Sequence, residues 1–283
     1  MATVVDFEPG RGRAVLLVVA HADDPTLFLG GTLARWSDAG WRVVVVRVTD
    51  DRWDSVGLDE ATTIARNRSG FEAAMRVLGV DETVEFDHPT DTLGDASEVE
   101  IRERVIEQVR RHRPYAIVTF DQFAMFGEDN EDHWTVATAT DEAFWTAQFD
   151  LHRPEHLAAG LTPHGAFERW WFGRDVQRVT DVVDITTTID RKIEAALCHE
   201  PALRNWIHQL RLQARTGGWR IPMLDEAQSG DLRAVIDPLL RRQAEIVGAR
   251  HGLGAAEEFR VSRFGGLGEL LELFGERIEG ATP

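Results

Sequence analysis

The chain has one cysteine, Cys198, among its 283 residues, and no apolar run long enough to span a bilayer. A single cysteine excludes a framework of internal disulfides. The short apolar runs argue against a transmembrane helix. The N-terminal stretch MATVVDFEPGRGR also lacks the apolar core of a signal peptide. We therefore expect a soluble, cytoplasmic protein with no membrane partner.

Basic residues are also scarce, since 31 Lys and Arg stand against 48 Asp and Glu, for a formal net charge of -17. Such a charge repels phosphate backbones and anionic membrane surfaces. We expect no nucleic-acid partner. The sequence leaves the oligomeric state open, and a homo-oligomer is compatible with it.

The apolar content of 43% is enough for a large core, and its even spread shows no linker. We predict a single domain over 1–283, in which 13–150 forms an α/β core. Apolar runs that predict strands alternate there with amphipathic runs that predict helices. The strands are Ala14–Ala20, Arg42–Val48, Thr83–Phe86 and Tyr115–Phe120, and the helices lie near 26–39, 60–78 and 97–112. This alternation predicts a Rossmann-like, doubly wound, mostly parallel sheet with helices on both faces.

The second half predicts an extension of this fold by extra strands and helices. Strand patterns cover Arg169–Gly173 and Val179–Thr186, and amphipathic helical patterns cover 188–215 and 231–250. The glycines at 217 and 218 mark a turn after the first of these helices.

The glycine-rich dinucleotide fingerprint is missing after the first strand, where the sequence reads His-Ala-Asp-Asp-Pro from His21 to Pro25. Its absence argues against a nicotinamide or flavin cofactor. One imidazole and two carboxylates, from His21, Asp23 and Asp24, can instead hold a divalent ion and keep an acid or base beside it. Pro25 favours Asp24 as the N-cap of the next helix.

Two glycines, Gly30 and Gly31, lie inside that helix. Glycine costs stability in a helix unless the helix packs very close to the sheet. We expect such close packing, which would fix the ligands rigidly.

A second polar cluster follows the strand that ends at Phe120. It contains Asp121 and the acidic run from Glu128 to His133, which leads into a predicted helix over Trp134–Gln148. In the common strand order 3-2-1-4, strands one and four are neighbours, so His21, Asp24 and His133 would converge between their carboxyl ends. Three protein ligands with an open fourth position are typical of a catalytic zinc site.

At these residues the sequence resembles a known family. The stretch AHADDPTLFLGGTLA at 20–34 is similar to the opening motif of the LmbE-like, or PIG-L, family of zinc-dependent N-acetylglucosaminyl deacetylases, which reads Ala-His-Pro-Asp-Asp-Glu and then Gly-Gly-Thr. NEDHWTV at 130–136 resembles the family's His-Pro-Asp-His segment. Further similar blocks are Arg68–Val80, VDIT at 183–186 followed by Lys192, Leu197 and His199, and EEFR at 257–260.

The resemblance implies a role for each matching position. His21, Asp24 and His133 match the zinc ligands, one zinc per chain, and Asp23 matches the general base. Arg68 matches a residue that helps to hold substrate. A site of two histidines and one aspartate also accepts other divalent transition metals, iron and cobalt among them.

Asn130 stands where the family has the first histidine of His-Pro-Asp-His, and asparagine cannot carry a proton. If that charge is needed, the protein is slow, inactive, or uses another histidine such as His164 or His88. Pro25 replaces the glutamate that follows the two aspartates in the family. We interpret Asp132 as a supporting or capping carboxylate, because a metal-bound histidine usually needs an oriented partner.

The predicted function is a zinc-dependent hydrolase that removes an N-acyl group, most simply acetyl, from a small sugar-like or glycoside metabolite. In the family, the region that corresponds to 151–283 shapes the substrate site. Candidate substrate contacts are Arg68, Asn130, His164 and Trp53, whose indole can stack on a sugar ring. Two alternatives stay open: a metal amidase for a non-sugar amide of specialised metabolism, and a metal-binding family member without turnover.

Overall fold

The first half of the chain alternates strands and helices as predicted. The computed structural model describes residues 2–7, 9–10, 12–124, 127–276 and 278. The elements of the first half are β1 (Thr3–Val4), β2 (Ala14–Val19), α1 (Asp24–Asp38), β3 (Arg42–Thr49), α2 (Glu60–Leu78), β4 (Glu82–His88), α3 (Glu98–His112), β5 (Ala116–Phe120) and α4 (Glu131–Thr146).

The second half adds strands to the same sheet and helices around it. Its elements are α5 (Pro154–Ala158), β6 (Glu168–Phe172), β7 (Asp181–Asp184), α6 (Ile189–Ala196), α7 (Glu200–Thr216), α8 (Pro222–Ala227), α9 (Arg233–Arg250), β8 (Ala256–Arg263) and α10 (Gly268–Phe274). None of the described helices is long and apolar enough to cross a membrane.

Within the described residues, eight strands form one sheet in the order β1-β7-β8-β6-β5-β2-β3-β4. Strand β8 runs antiparallel to its neighbours β6 and β7, and the other pairs are parallel. The segment β4-β3-β2-β5 is the predicted 3-2-1-4 order. The predicted Rossmann-like, mostly parallel α/β fold is therefore confirmed.

Strand β2 is an interior strand between β5 and β3, and all six of its side chains are apolar and buried, as a strand covered on both faces requires. Helices α1, α2 and α6 pack against one another, whereas α3 packs against α4. Right-handed crossovers place these two groups on opposite faces of the sheet. One large cluster of buried apolar residues includes side chains from both halves of the chain.

The second half departs from the predictions in its details. The predicted helix over 188–215 is two helices, α6 and α7, which are separated at 197–199. Pro201 lies in the first turn of α7, where its missing N–H costs no hydrogen bond. The periodicity of the sequence does not predict strand β8, which contains the family-like EEFR stretch at 257–260.

The start of α1 corrects one prediction. Asp23, and not Asp24, occupies the N-cap position, and its side chain makes no capping hydrogen bond. Asp24 is the first residue of the helix, and its Oδ2 accepts a hydrogen bond of 2.7 Å from the backbone N–H of His21. The Asp24 carboxylate therefore turns back towards the end of β2.

Helix α1 is interrupted at Leu29, where φ is -139° and ψ is 24°. The backbone N–H groups of Gly31 and Thr32, which the interruption frees, donate to the carboxylate of Glu257 on β8 at 3.1 and 2.8 Å. A Cβ atom at Gly31 would lie 2.6 Å from the side chain of Ile185, just after β7. A Cβ atom at Gly30 would lie 3.1 Å from Lys192 on α6, so both glycines allow close packing, but against α6 and the segment after β7 rather than against a strand as predicted.

Candidate metal centre

The carboxyl ends of the neighbouring strands β2 and β5 bring three polar side chains together. His21 and Asp24 follow β2, and His133 lies in the first turn of α4 after β5. Asp24 Oδ1 lies 3.2 Å from His133 Nε2, and the two imidazole rings are 5.2 Å apart between centroids. All three side chains are buried. The structure thus places the three candidate ligands in one crevice.

The His21 ring is oriented by a carboxylate from the next strand. Its Nδ1 lies 3.1 Å from Asp51 Oδ1, in the loop after β3. Asp51 Oδ2 also accepts a hydrogen bond of 3.0 Å from the backbone N–H of Ala22. A carboxylate on Nδ1 favours the tautomer in which Nε2 carries a lone pair, and in this structure that lone pair faces Asn130 Nδ2 at 3.0 Å. Nε2 of His21 is therefore the atom that can bind a cation.

His133 has a carboxylate near each of its ring nitrogens. Nε2 faces Asp24, and Nδ1 lies 2.9 Å from Glu128 Oε2. Both nitrogens are buried, and neither forms a hydrogen bond of acceptable geometry. The face of the ring stacks on Phe120, with centroids 4.0 Å apart. A metal ion bound to Nε2 and to Asp24 would give both of these buried groups a partner.

The donor set fits a divalent transition metal in its chemistry, since two imidazoles and a carboxylate are typical ligands of catalytic zinc. The distance between Asp24 Oδ1 and His133 Nε2 is close to the roughly 3.3 Å that separates two ligands in a tetrahedral zinc site. Among the described residues, no three histidine, cysteine or carboxylate side chains are yet arranged to hold an ion. For all three side chains to bind one ion, the His21 ring would have to change its position.

The charges of the crevice explain the pKa shifts of its groups. Burial alone lowers the pKa of His21 and His133, but nearby carboxylates raise both: the hydrogen bond with Asp51 and the charge of Asp24 for His21, and Asp24 for His133. Burial raises the pKa of Asp24, yet the two imidazoles hold it below its usual range. The carboxylates of the crevice thus favour positive charge at both imidazoles.

Asp23 lies beside this cluster and is only partly buried. Burial raises the pKa of its carboxyl well above the usual value, and the charges of Asp54 and Asp24 raise it further. Its carboxylate makes no hydrogen bond to any described residue. Asp23 therefore has both oxygens free for water or substrate.

Asn130, which replaces the family's histidine, contacts a candidate ligand directly. Its Nδ2 lies 3.0 Å from His21 Nε2, and its Oδ1 accepts from the backbone N–H of Asp132 as the N-cap of α4. Asp132 accepts hydrogen bonds of 2.7 and 3.0 Å from the backbone N–H groups of Asp91 and Leu93. Asp132 thus holds the loop after β4, and its Oδ2 also lies 3.9 Å from His21 Nε2.

The other predicted site residues lie further away. Trp53 is in the loop after β3 with 52% of its surface exposed. Arg68 on α2 pairs with Glu85 and Asp87 on β4. Glu85 also pairs with Arg47, which in turn contacts Asp51 at 3.1 Å. A chain of ion pairs thus connects Arg68 to Asp51, the partner of the His21 ring.

Two histidines named as replacements for the missing imidazole do not reach the crevice. His164 Nε2 donates to the carbonyl of Pro114, before β5 begins, at the opposite edge of the sheet. We therefore do not retain His164 as a substrate contact. His88 ends the edge strand β4, 3.4 Å from Arg104. Neither histidine lies next to Asn130 Nδ2.

Two cavities lie near the carboxyl edge of the sheet. One, of about 10 Å³, is lined by aromatic and small side chains beside His133, among them Phe120, Trp134 and Phe172. The other, of about 300 Å³, is lined by Phe123, Gln177, Arg178 and Arg260 and contains none of the predicted site residues.

Sequence reasoning did not find Asp51 or Asp54, and it placed Glu128 only within an acidic run. A signal for Asp51 was present, since the sequence reads Thr-Asp-Asp at the carboxyl end of a predicted strand. Ligand-binding residues gather at that edge of an open sheet. No such pattern marks Asp54, because the residues that contact it in space depend on the conformation of the loop and on the position of α7.

Comparison with known proteins gives one family match. Residues 16–144 match the family model PIG-L, described as GlcNAc-PI de-N-acetylase. This range contains the three candidate ligands and Asp23. It ends within α4, so the second half of the chain lies outside it.

Individual relatives have related names. A 1D-myo-inositol 2-acetamido-2-deoxy-alpha-D-glucopyranoside deacetylase of Mycobacteroides abscessus is 30% identical over 161 residues, which are 47% of this chain and 57% of the relative. The diacetylchitobiose deacetylase of Thermococcus kodakarensis is 27% identical over 198 residues, which are 66% of this chain and 69% of the relative. The match thus spans only a little over half of the first relative.

A solved structure shares the fold. The N,N'-diacetylchitobiose deacetylase from Pyrococcus horikoshii superposes with a TM-score of 0.71 and 22% sequence identity, over 89% of this chain and 84% of the other. At this identity the likeness shows the α/β architecture alone.

Proposed function

Since residues 16–144 match the PIG-L family model, we propose that the protein is a metal-dependent hydrolase that removes an N-acetyl group from a small sugar-like or glycoside metabolite. Its relatives are named as deacetylases of acetamido sugars and of diacetylchitobiose. The observation that carries the proposal is the buried pair of Asp24 and His133, 3.2 Å apart with both imidazole nitrogens lacking hydrogen bonds.

His21, Asp24 and His133 would hold one zinc ion per chain. Held by these residues, the ion would supply Lewis acidity for the amide carbonyl and would lower the pKa of water to about 7. Asp51 and Glu128 support the proposal, because each lies next to the Nδ1 atom of one of these histidines and can set the orientation of its ring.

Asp23 is the proposed general base. It would take a proton from the attacking water as the oxygen adds to the amide carbonyl, and return the proton to the nitrogen as the C–N bond breaks. The products are acetate and the free amine. The absence of any side-chain hydrogen bond from Asp23 to the described residues leaves it available for both transfers.

Asn130 supplies a hydrogen-bond donor where the family has a histidine. Its amide is anchored at the N-terminus of α4 by its bond to Asp132. In that place it would hold the carbonyl oxygen by a hydrogen bond and without a positive charge. Because Asn130 carries no charge where the family has a histidine, a metal amidase acting on a non-sugar amide remains the second candidate function.

We propose that the part of the chain from 151 to 283 shapes the substrate site. The support is a direct contact: Asn205 on α7 donates a hydrogen bond to Asp54 in the loop after β3. The whole chain would then act as one domain with one site.

The test measures zinc content and acetate release together, in the parent and in His133→Ala. About one zinc per chain in the parent, little in the variant, and acetate release from N-acetylglucosamine or diacetylchitobiose in the parent alone are the expected results. Zinc without release from any acetylated sugar or other amide would favour a metal-binding protein without turnover. A parent that binds no metal would overturn the proposed site.

A further inference from the structure

The larger of the two cavities, about 300 Å³ in volume, has no part in the function proposed above. Its size is at the lower end for small-molecule pockets, which measure about 300 to 1,000 Å³. The lining comes from three parts of the chain: Phe123 after β5, Gln177 and Arg178 in the loop between β6 and β7, and Arg260 on β8. The chemistry of these side chains indicates what the cavity can bind.

Arg260 forms one wall of the cavity and keeps one nitrogen free. Its Nε and Nη2 donate to the two oxygens of Asp121 at 3.0 and 2.6 Å, and its guanidinium carbon lies 3.7 Å from the ring centroid of Trp171. Its Nη1 makes no hydrogen bond to any residue that the structure describes. Because the guanidinium plane is held by a carboxylate and by an aromatic ring, the free Nη1 has a fixed direction, as a binding contact requires.

Arg178 brings a second guanidinium to the cavity, and this one has no counter-ion. Its side chain forms neither a hydrogen bond nor an ion pair within the described part of the chain. Its backbone φ is 57°, in the left-handed region that residues other than glycine adopt uncommonly. Asp175 lies in the same loop but accepts from Gln177 Nε2 at 3.0 Å and does not pair with Arg178. The positive charge of Arg178 is therefore unbalanced, whereas Asp121 balances that of Arg260.

An apolar surface lies beside these charges. Phe123 is 63% exposed, and the guanidinium carbon of Arg260 lies 5.2 Å from its ring centroid. The exposed ring can pack against a ring of the ligand. One unbalanced positive charge matches one negative charge, and guanidinium N–H groups match the geometry of a carboxylate. A phosphate dianion would place a second negative charge near Asp121, in a chain of net charge -17. The lining therefore favours a carboxylate on a ring.

The large cavity borders the candidate metal centre. Asp121, the partner of Arg260, also lines the small cavity beside His133. Arg174 Nε, in the loop between β6 and β7, lies 3.3 Å from Oε1 of Glu128, whose Oε2 is 2.9 Å from His133 Nδ1. Two ion pairs thus join the walls of the large cavity to the residues that surround His133.

We propose that this cavity binds a ring that carries a carboxylate, in a part of the substrate remote from the scissile amide. Arg178 and Arg260 Nη1 donate to the carboxylate, and Phe123 packs against the ring. The substrate is then an N-acetylated sugar linked to an acidic ring, such as a uronic acid or a carboxylated aromatic ring. This link to the substrate rests on the function proposed above, whereas carboxylate binding by the cavity does not.

Benzoate and benzamide test the cavity itself, because they have the same shape and differ in charge. Ligand-observed NMR titration measures the two dissociation constants, also when binding is weak. At low salt the parent should bind benzoate about 10-fold more tightly than benzamide, since hydrogen bonds to a charged group are the stronger ones. Added salt should weaken this preference. Arg178→Gln should remove most of it.

Two further variants separate the cavity from general charge effects. Arg242→Gln removes an exposed arginine on α9, paired with Glu245 at 3.8 Å, and should leave the preference for benzoate unchanged. Phe123→Ala removes apolar surface but no charge, so it should weaken the binding of both probes by a similar factor. No preference for benzoate in the parent, or equal falls in Arg178→Gln and Arg242→Gln, would overturn the proposal. Tighter binding of phenyl phosphate than of benzoate would overturn the choice of a carboxylate.

The 4-carboxyphenyl and 4-carbamoylphenyl glycosides of N-acetylglucosamine test the link to the substrate. In the parent, kcat/KM for acetate release should favour the acid through a lower KM, and Arg178→Gln should remove that preference. Benzoate binding without acetate release from either glycoside would support the cavity while the proposed hydrolysis fails. Equal kcat/KM for the two glycosides, in a parent that binds benzoate, would overturn the link between the cavity and the substrate.

Discussion

Asp51 Oδ1 lies 3.1 Å from His21 Nδ1, so a residue at the end of β3 sets the orientation of a ring at the end of β2. The same Asp51 contacts Arg47 at 3.1 Å, and Arg47 is fully buried. Burial by itself raises the pKa of the Asp51 carboxyl, but the hydrogen bond with His21 and the nearby charges lower it below its usual range. Asp51 is therefore ionised at neutral pH and can hold the His21 N–H.

Replacement of Asp51 should weaken metal binding without removing a ligand. In Asp51→Asn we expect zinc affinity to fall by about 10- to 100-fold, because the His21 ring loses its charged partner. Competition with a chelator of known affinity measures this. Asp50→Asn, which removes a carboxylate paired with Arg52 in the same loop, serves as the control and should change the affinity much less. Equal losses in both variants would argue that only loop stability was affected.

Asp23→Asn tests the proposed base. The amide keeps the size of the side chain but cannot take a proton, so we expect unchanged zinc content and a loss of roughly 10² to 10⁴ in kcat. Metal analysis and acetate release on the same sample measure both quantities. Full activity in this variant would show that Asp23 is not the base.

Much of the site could be predicted from the chain because a few strong patterns determine it. The apolar run before His21 is typical of a strand buried on both faces, and the alternation of elements predicts that it lies beside the strand that ends at Phe120, as β2 and β5 do. His21, Asp24 and His133 then meet because each follows the carboxyl end of a central strand or begins the next helix.

The partners of these residues could not be predicted in the same way. Asp51 reaches His21 in a left-handed conformation, with φ of 54°, that no local pattern of the sequence indicated. Asn205 reaches Asp54 across 151 positions of sequence. That contact depends on the break between α6 and α7, and periodicity predicted one continuous helix there.

The buried pair of Lys192 and Glu257 should be important for stability. Lys192 Nζ lies 2.7 Å from Glu257 Oε1, and both side chains are only 6% exposed. Lys192→Met leaves the charge of Glu257 buried and unpaired, which we expect to cost roughly 3 to 5 kcal/mol in the free energy of unfolding. Urea denaturation measures the loss.

The double variant Lys192→Met/Glu257→Gln should recover part of this stability, because no uncompensated charge remains and the Gln carbonyl can still accept from Thr32. A double variant less stable than the sum of the two single variants would contradict this account of the pair.

His199 should make stability depend on pH in the mildly acidic range. It is the N-cap residue before α7, with 1% of its surface exposed. Burial lowers its pKa to about 4, while the charges of Asp51 and Asp24 oppose the shift and that of Arg47 adds to it. Its Nε2 is buried and has no hydrogen-bond partner among the described groups. In the unfolded chain the pKa is about 6.5. Between these two values the unfolded state binds more protons than the folded state, so stability rises with pH.

The protein should therefore lose up to roughly 3 kcal/mol through this one group as the pH falls from above 6.5 to below 4. His199→Leu, which is similar in volume and cannot be protonated, should remove that part of the pH dependence. Urea unfolding of both proteins between pH 4 and 8 measures it. The difference at pH 8 reports packing alone, and only the change in that difference on acidification reports the imidazole. Parallel curves over the whole range would show that His199 is not held neutral by the fold.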